Sequence, residues 1–185
     1  MTARYRLDPG QSRFTVQAFA AGMLEFLGHS PTFAVRDFTG VVSFEGGTAS
    51  GMRLELTVRA DSLTLLDEVK DADRREIEGT MRRDVLEAAA HPEIRYEAAQ
   101  AAADAVAQGR YHVRVGGRLS LRDVTRPHPV DAELLVFDDG IRLRGETSLR
   151  LPEYHIRPVT ALGGMIRLQD DLRLSFDLAG LPEES

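Results

Sequence analysis

Residues 52–61 of this chain alternate between apolar and polar side chains without a break. Because successive side chains of a β-strand point to opposite faces, this stretch has one apolar face and one polar face. The apolar face consists of Met52, Leu54, Leu56, Val58 and Ala60. The same alternation returns in residues 112–122, 141–151 and 172–179. Strands of this kind need a shared interior, so the chain is predicted to be an all-β protein with one apolar core and a wet exterior.

Turn residues separate further strand-like segments. Asp8-Pro9-Gly10 predicts a turn before a first strand, and Asp138-Asp139-Gly140 predicts a hairpin. A strand is expected over residues 33–44, where Gly40 is a candidate bend. The alanine-rich residues 98–107 are compatible with a helix or a strand. Short strands at this spacing are typical of a barrel or a sandwich.

One segment, near residues 71–90, interrupts the strands with helical spacing. Its apolar residues repeat every four positions and are Ile77, Met81 and Val85. Asp71 or Asp73 is expected to cap the helix, and Gly79 weakens it by roughly 1 kcal/mol relative to alanine. The spacing therefore predicts one kinked helix or two short helices.

Composition excludes several classes of protein. A length of 185 residues suits a single domain, and no linker divides residues 1–185. The net charge of −6 argues against a nucleic-acid partner. No cysteine is available for disulfides or metal thiolates, and no apolar run is long enough for a transmembrane segment. Because the N-terminal residues lack the apolar region of a signal peptide, a cytoplasmic protein is expected.

Catalytic motifs are not evident in the sequence. There is no Gly-x-Ser-x-Gly elbow and no glycine-rich phosphate loop, and the acidic residues near the helix alternate with basic ones, as on a solvated face. His29 and His155 are candidates to meet at one barrel end and bind a metal with Asp37 or Glu153. Ordinary hydrogen-bonding roles are the favoured interpretation of both histidines, so no catalytic and no metal-binding residue is assigned.

Four segments, taken in order, carry a resemblance to a known family: residues 5–16, 38–44, 91–96 and 117–127. The first two are similar to an opening strand and a second strand, the third to a proline-led return from a helix, and the fourth to a Gly-x-Leu-Thr strand with the turn that follows. All four resemble segments of the YceI-like family of lipocalin-like, polyisoprenoid-binding proteins. The segment after the first strand, residues 20–30, is longer than is usual in the family.

The resemblance implies an extended antiparallel β-barrel of about eight strands with one helical excursion, and a homodimer. A barrel of eight strands is just wide enough to hold one small ligand. In the family that ligand is a long isoprenoid chain, as in a quinone or a polyprenyl lipid, bound without catalysis. About ten buried carbons contribute up to ~8 kcal/mol before ordering costs.

Large apolar residues on inward faces are the candidates for ligand contact. They are Phe14, Phe19, Leu24, Phe26, Leu27, Phe44, Met52, Leu54, Met81, Leu119, Leu121, Phe137 and Met165. The segment 23–27 is a lid, a portal or a plug. Two alternatives stay open: the same residues fill the barrel of a structural or partner-binding module, or an enzyme acts on an apolar substrate at the barrel mouth.

Overall fold

The computed structural model describes residues 1–21, 30–99, 101–161, 163–164 and 166–183. Some residues singled out from the sequence lie outside these ranges: His29, Met165, and the segment 23–27 with Leu24, Phe26 and Leu27. The twelve strands of the described residues are β1 (Thr2–Ala21), β2 (Thr32–Val35), β3 (Phe38–Glu45), β4 (Ser50–Arg59), β5 (Leu63–Leu65), β6 (Glu93–Ala98), β7 (Ala101–Ala107), β8 (Arg110–Leu121), β9 (Val124–Phe137), β10 (Gly140–Arg150), β11 (Thr160–Ala161) and β12 (Ile166–Pro182).

Eight of these strands close into an antiparallel barrel in the order β1-β3-β4-β6-β8-β9-β10-β12. The closing pair is β1 with β12, from Tyr5 opposite Pro182 to Ala21 opposite Arg167. The short strands β2 and β5 extend the sheet from β1, while β7 pairs with β8 and β11 pairs with β12. The predicted barrel of about eight strands is therefore confirmed.

The first strand does not break where a turn is predicted. β1 continues through Asp8-Pro9-Gly10 as a bulge, because Arg13 resumes the pairing with β12 after Asp8 leaves it. The Gly10 N–H donates to Asp8 Oδ1 at 2.8 Å, and Ser12 Oγ accepts from the Ala179 N–H at 2.9 Å. The local hydrogen bonds typical of a turn are thus present, but they lie within a continuous strand, so the predicted turn before the strand is wrong.

Three other predictions of local structure concern a hairpin, the alanine-rich segment and Gly40. Asp138 and Asp139 form the two-residue loop of the predicted hairpin, between Phe137 and Gly140. The ambiguous alanine-rich segment is strand β7. Gly40 marks a close approach rather than a bend: it lies within β3, and a Cβ there would be 2.7 Å from the Glu55 carbonyl oxygen.

The helical excursion is a single helix. α1 (Asp71–Thr80) continues directly as a π-helical turn over Met81–Val85. Lys70 holds the N-cap position without a side-chain hydrogen bond, so the predicted cap by Asp71 or Asp73 is wrong. Both carboxylates lie in the first turn instead, where the helix dipole stabilises negative charge. No helix of the described residues is long and apolar enough to cross a membrane.

The lower half of the barrel is filled by its own side chains. We call lower the end that carries the N-terminus and the turns at 46–49, 108–109 and 138–139, which adjoin one another. Phe44 stacks on Tyr5 with ring centroids 5.4 Å apart, and both side chains pack with the core. Met52, Val113 and Leu134 have no solvent exposure at all. This half is a packed core of the ordinary kind.

Candidate ligand cavity

The upper half of the barrel encloses a cavity of about 200 Å³. Engineered apolar cavities of about 150 Å³ already stay dry and bind benzene. The barrel strands supply the wall of the cavity, and the helix supplies Ile77, Thr80, Met81 and Val85. All but five of its described lining residues are apolar, the five being Thr80, Arg95, Tyr96, His128 and Thr147. Such a space suits an apolar guest and offers little to a polar one.

Five of the predicted ligand-contact residues line this cavity: Phe14, Leu54, Met81, Leu119 and Leu121. Phe14 also meets Phe176, another lining residue, edge to face, with ring centroids 6.5 Å apart. The alternation of the strands identified this group correctly as inward-facing, and helical spacing identified Met81. Whether they contact a ligand stays a prediction.

Four of the predicted residues lie elsewhere. Phe44 and Met52 face inward but belong to the packed lower half, and neither lines the cavity. The Phe19 ring lies against the Arg173 guanidinium, 5.5 Å from carbon to ring centroid, and it too does not line the cavity. Phe137 ends β9 at the lower hairpin and is 52% exposed. The structure therefore does not bring these four together with the cavity.

Some lining residues of the cavity were not among the candidates chosen from the sequence. Val16, Leu174 and Phe176 follow the inward alternation of β1 and β12, so alternation alone would have found them. His128 and Thr147 are polar, and no pattern in the sequence connects them. Of the two histidines considered for a metal, His155 is exposed after a short 3₁₀ helix and His29 lies outside the described residues. Within the described ranges no three metal-binding side chains meet.

Charged side chains of the helix above the cavity form hydrogen bonds with the backbone at the edge of β5. The Leu65 N–H donates to Glu78 Oε1 at 2.9 Å. Arg74 donates to the Leu65 carbonyl oxygen and, at 2.8 Å, to the Asp67 carbonyl oxygen. Arg82 reaches the Leu63 carbonyl oxygen at 3.4 Å. The helix thus satisfies backbone groups that an edge strand would otherwise leave unpaired, and it is held in place as the cover of the cavity.

Tyr96 crosses the cavity wall from β6 to β9. Its hydroxyl donates to the His128 carbonyl oxygen at 2.9 Å. The ring passes over Gly117 of β8, where a Cβ would lie 2.2 Å from Tyr96 Cζ, so only glycine leaves room. Burial raises the pKa of Tyr96 to about 12, because the phenolate is poorly solvated there.

His128 and Thr147 form a polar pair on the same wall. His128 Nε2 lies 3.2 Å from Thr147 Oγ1, within hydrogen-bond distance. Burial lowers the pKa of His128, and the Glu153 carboxylate only partly opposes that effect, so the imidazole is neutral at pH 7. The fifth polar lining residue of the wall, Arg95, is exposed and pairs with Glu93 on the outside of the barrel.

Comparison with known proteins agrees with this architecture. The family model described as a YceI-like domain matches residues 5–179. The chain belongs to the YceI-like family. The resemblance seen in the sequence is therefore confirmed, and it covers nearly the whole YceI-like chain. No curated protein matches it in sequence.

Solved structures share the fold at low sequence identity. BcnA of Burkholderia cenocepacia superposes with a TM-score of 0.71 at 14% identity, covering 94% of this chain and 98% of its own. A polyisoprenoid binding domain from Saccharophagus degradans superposes with a TM-score of 0.69 at 14% identity, covering 97% and 98%. A YceI protein of Campylobacter jejuni reaches 0.59 at 14% identity, covering 83% and 85%. At this identity the likeness establishes the fold of the YceI-like chain.

Proposed function

We propose that this protein binds a long apolar ligand, isoprenoid or quinone-like, inside its barrel and carries it without chemical change. The observation that supports the proposal is the cavity itself, which is hollow, lined by apolar side chains and covered by the helix. A barrel filled by its own side chains would leave no such space, whereas the described residues fill only the lower half.

The energetics favour an alkyl or prenyl chain as the guest. Each methylene moved from water into the cavity contributes roughly 0.8 kcal/mol, so ten carbons contribute roughly 8 kcal/mol before the costs of association. After an association cost of at least about 4 kcal/mol, a ten-carbon chain binds with a Kd of about 1 mM at best, and longer chains bind more tightly. The thioether of Met81, 8% exposed at the cavity, is suited to the irregular outline of a flexible chain.

Mass spectrometry of an organic extract of the purified protein tests the proposal directly. We expect a prenyl lipid or quinone to be released, and the delipidated protein to take up ubiquinone-2 in titration. Leu174, which lines the cavity, is the position for a blocking variant. Leu174→Trp should abolish uptake, because the indole occupies the space of the ligand.

A matched control carries the same bulky side chain on the outside. Val106 lies on β7 and is 60% exposed, so Val106→Trp should bind as the wild type does. The natural chain has no tryptophan, so each variant has a single one, and its fluorescence reports whether the indole is enclosed. An empty extract together with no uptake by the wild type would refute the proposal.

A further inference from the structure

The upper parts of β9 and β10 separate from each other. Their ladder ends where Ala132 pairs with Gly145; above that point β9 pairs only with β8, and β10 pairs only with β12 among the described residues. Pro127 and Pro129 have no N–H group to donate, which explains why β9 makes no further ladder here. A seam therefore opens in the barrel wall at the height of the cavity.

The His128–Thr147 pair spans this seam. His128 belongs to β9 and Thr147 to β10, and both line the cavity. Their hydrogen bond of 3.2 Å replaces the backbone bonds that the two strands do not make. Polar side chains in an otherwise apolar cavity are the groups that fix the orientation of a bound molecule.

The N–H and O–H groups of this pair determine which hydrogen bond it can form with a ligand. If His128 Nε2–H donates to Thr147 Oγ1, the threonine O–H is left as a donor. If the threonine donates to Nε2, the imidazole Nδ1–H is left instead. Within the described residues neither side chain has another hydrogen-bond partner. In both tautomers one donor is free, and it can satisfy an oxygen acceptor on the ligand.

The described lining of the cavity offers nothing to balance a negative charge. The Arg95 guanidinium is paired with Glu93 outside the barrel, and partial burial lowers the pKa of the His128 imidazole. No other cationic side chain of the described residues lines the cavity. A phosphate or carboxylate placed here would be desolvated without a counter-ion, which is strongly unfavourable.

We propose that His128 and Thr147 bind the uncharged oxygen of a ligand, a carbonyl or a hydroxyl, whose apolar chain fills the rest of the cavity. The inference rests on the proposed function and specifies the end group: neutral, with an oxygen acceptor. A quinone or a prenyl alcohol fits this description, whereas a prenyl phosphate does not.

Displacement of the fluorescent hydrocarbon diphenylhexatriene from the delipidated protein tests the end group. The four competitors each carry one saturated chain of fifteen carbons: 2-pentadecanone, 2-pentadecanol, pentadecyl monophosphate and the hydrocarbon pentadecane. A hydrogen bond contributes roughly two- to tenfold in affinity. We expect the ketone and the alcohol to bind up to about tenfold more tightly than pentadecane, and the phosphate to bind no more tightly than pentadecane. If the ketone binds more tightly than the alcohol, the oxygen of the ligand is a carbonyl; if the alcohol binds more tightly, it is a hydroxyl.

A double variant connects the effect to the pair, because each side chain alone keeps one N–H or O–H donor. His128→Phe combined with Thr147→Val should erase the advantage of the ketone over pentadecane and change pentadecane affinity less than twofold. His128→Leu combined with Thr147→Val serves if the phenylalanine variant does not fold. The matched control is Thr39→Val on the exposed face of β3, which should behave as the wild type does.

The outcomes separate this inference from the function it rests on. Equal affinity of the wild type for all four competitors, tighter binding of the phosphate, or an unchanged ketone advantage in the double variant overturns the end-group inference and leaves apolar binding intact. If diphenylhexatriene and all competitors fail to bind, the proposed function itself is refuted and the inference falls with it.

Discussion

Adding one methylene should have opposite effects in the two halves of the barrel. Val16 faces the cavity on β1, and Val113 has no exposure in the packed half on β8. In Val16→Ile the extra carbon enters empty space, so burial stabilises the protein by up to about 0.8 kcal/mol. In Val113→Ile the carbon has no space, and overpacking costs about 1–3 kcal/mol. Both residues are β-branched before and after the change, so strand propensity does not confuse the comparison.

Urea denaturation of the delipidated proteins measures this difference. The two variants should differ by about 1–4 kcal/mol in free energy of unfolding, at an unchanged slope with denaturant concentration. In melting temperature this corresponds to roughly 2–16 °C for a chain of this size. If Val16→Ile destabilises the protein as much as Val113→Ile does, the upper half is not hollow and the reasoning from the cavity fails.

Three further outcomes are expected. Glu78→Gln should lower the free energy of unfolding by about 1–2 kcal/mol and speed hydrogen exchange at the Leu65 amide, because the acceptor of that N–H loses its charge. Glu76→Gln, on the exposed face of the helix, should change neither quantity. Since burial lowers the pKa of His128, the unfolded chain takes up a proton before the folded one does; the wild type should therefore lose stability relative to His128→Asn as the pH falls below about 6.5, and parallel pH profiles from urea titrations would contradict this. Gly117→Ala should cost about 1–3 kcal/mol, because its methyl group displaces the tyrosine ring above it, and an unchanged urea midpoint would show that the ring moves freely.

The alternation in the sequence determines which face of a strand a residue occupies, but not its height in the barrel. Leu54 and Met52 are two positions apart on the same inward face of β4, yet only Leu54 reaches the cavity. Phe44 falls into the packed half for the same reason. Height depends on strand register around the whole barrel, which is a long-range property. Phe19 and Phe137 each lie one position out of step with an inward residue of their strand, Ala18 and Val136.

The hairpin at Asp138-Asp139-Gly140 could be predicted because its residues are neighbours in the chain as well as in space. The turn predicted at Asp8-Pro9-Gly10 was wrong because pairing with β12 carries the strand through it. The polar pair could not be found this way, because Thr147 follows His128 by 19 residues and meets it only where two strands stop pairing. The prolines on either side of His128 are the one signal in the sequence, since they indicate a strand that leaves its ladder.

The division of the barrel into two halves explains how a hollow protein remains folded. Empty space forfeits dispersion contacts along the cavity wall, and that loss must be offset elsewhere in the same cooperative unit. The packed lower half and the long β1–β12 pairing supply the offset. The helix above the cavity is held by hydrogen bonds from charged side chains to an edge strand, and its apolar residues Ile77, Met81 and Val85 pack with the core while they also line the cavity. A ligand of the kind proposed would give those apolar residues further contacts, and its binding would therefore stabilise the helix in its place over the cavity.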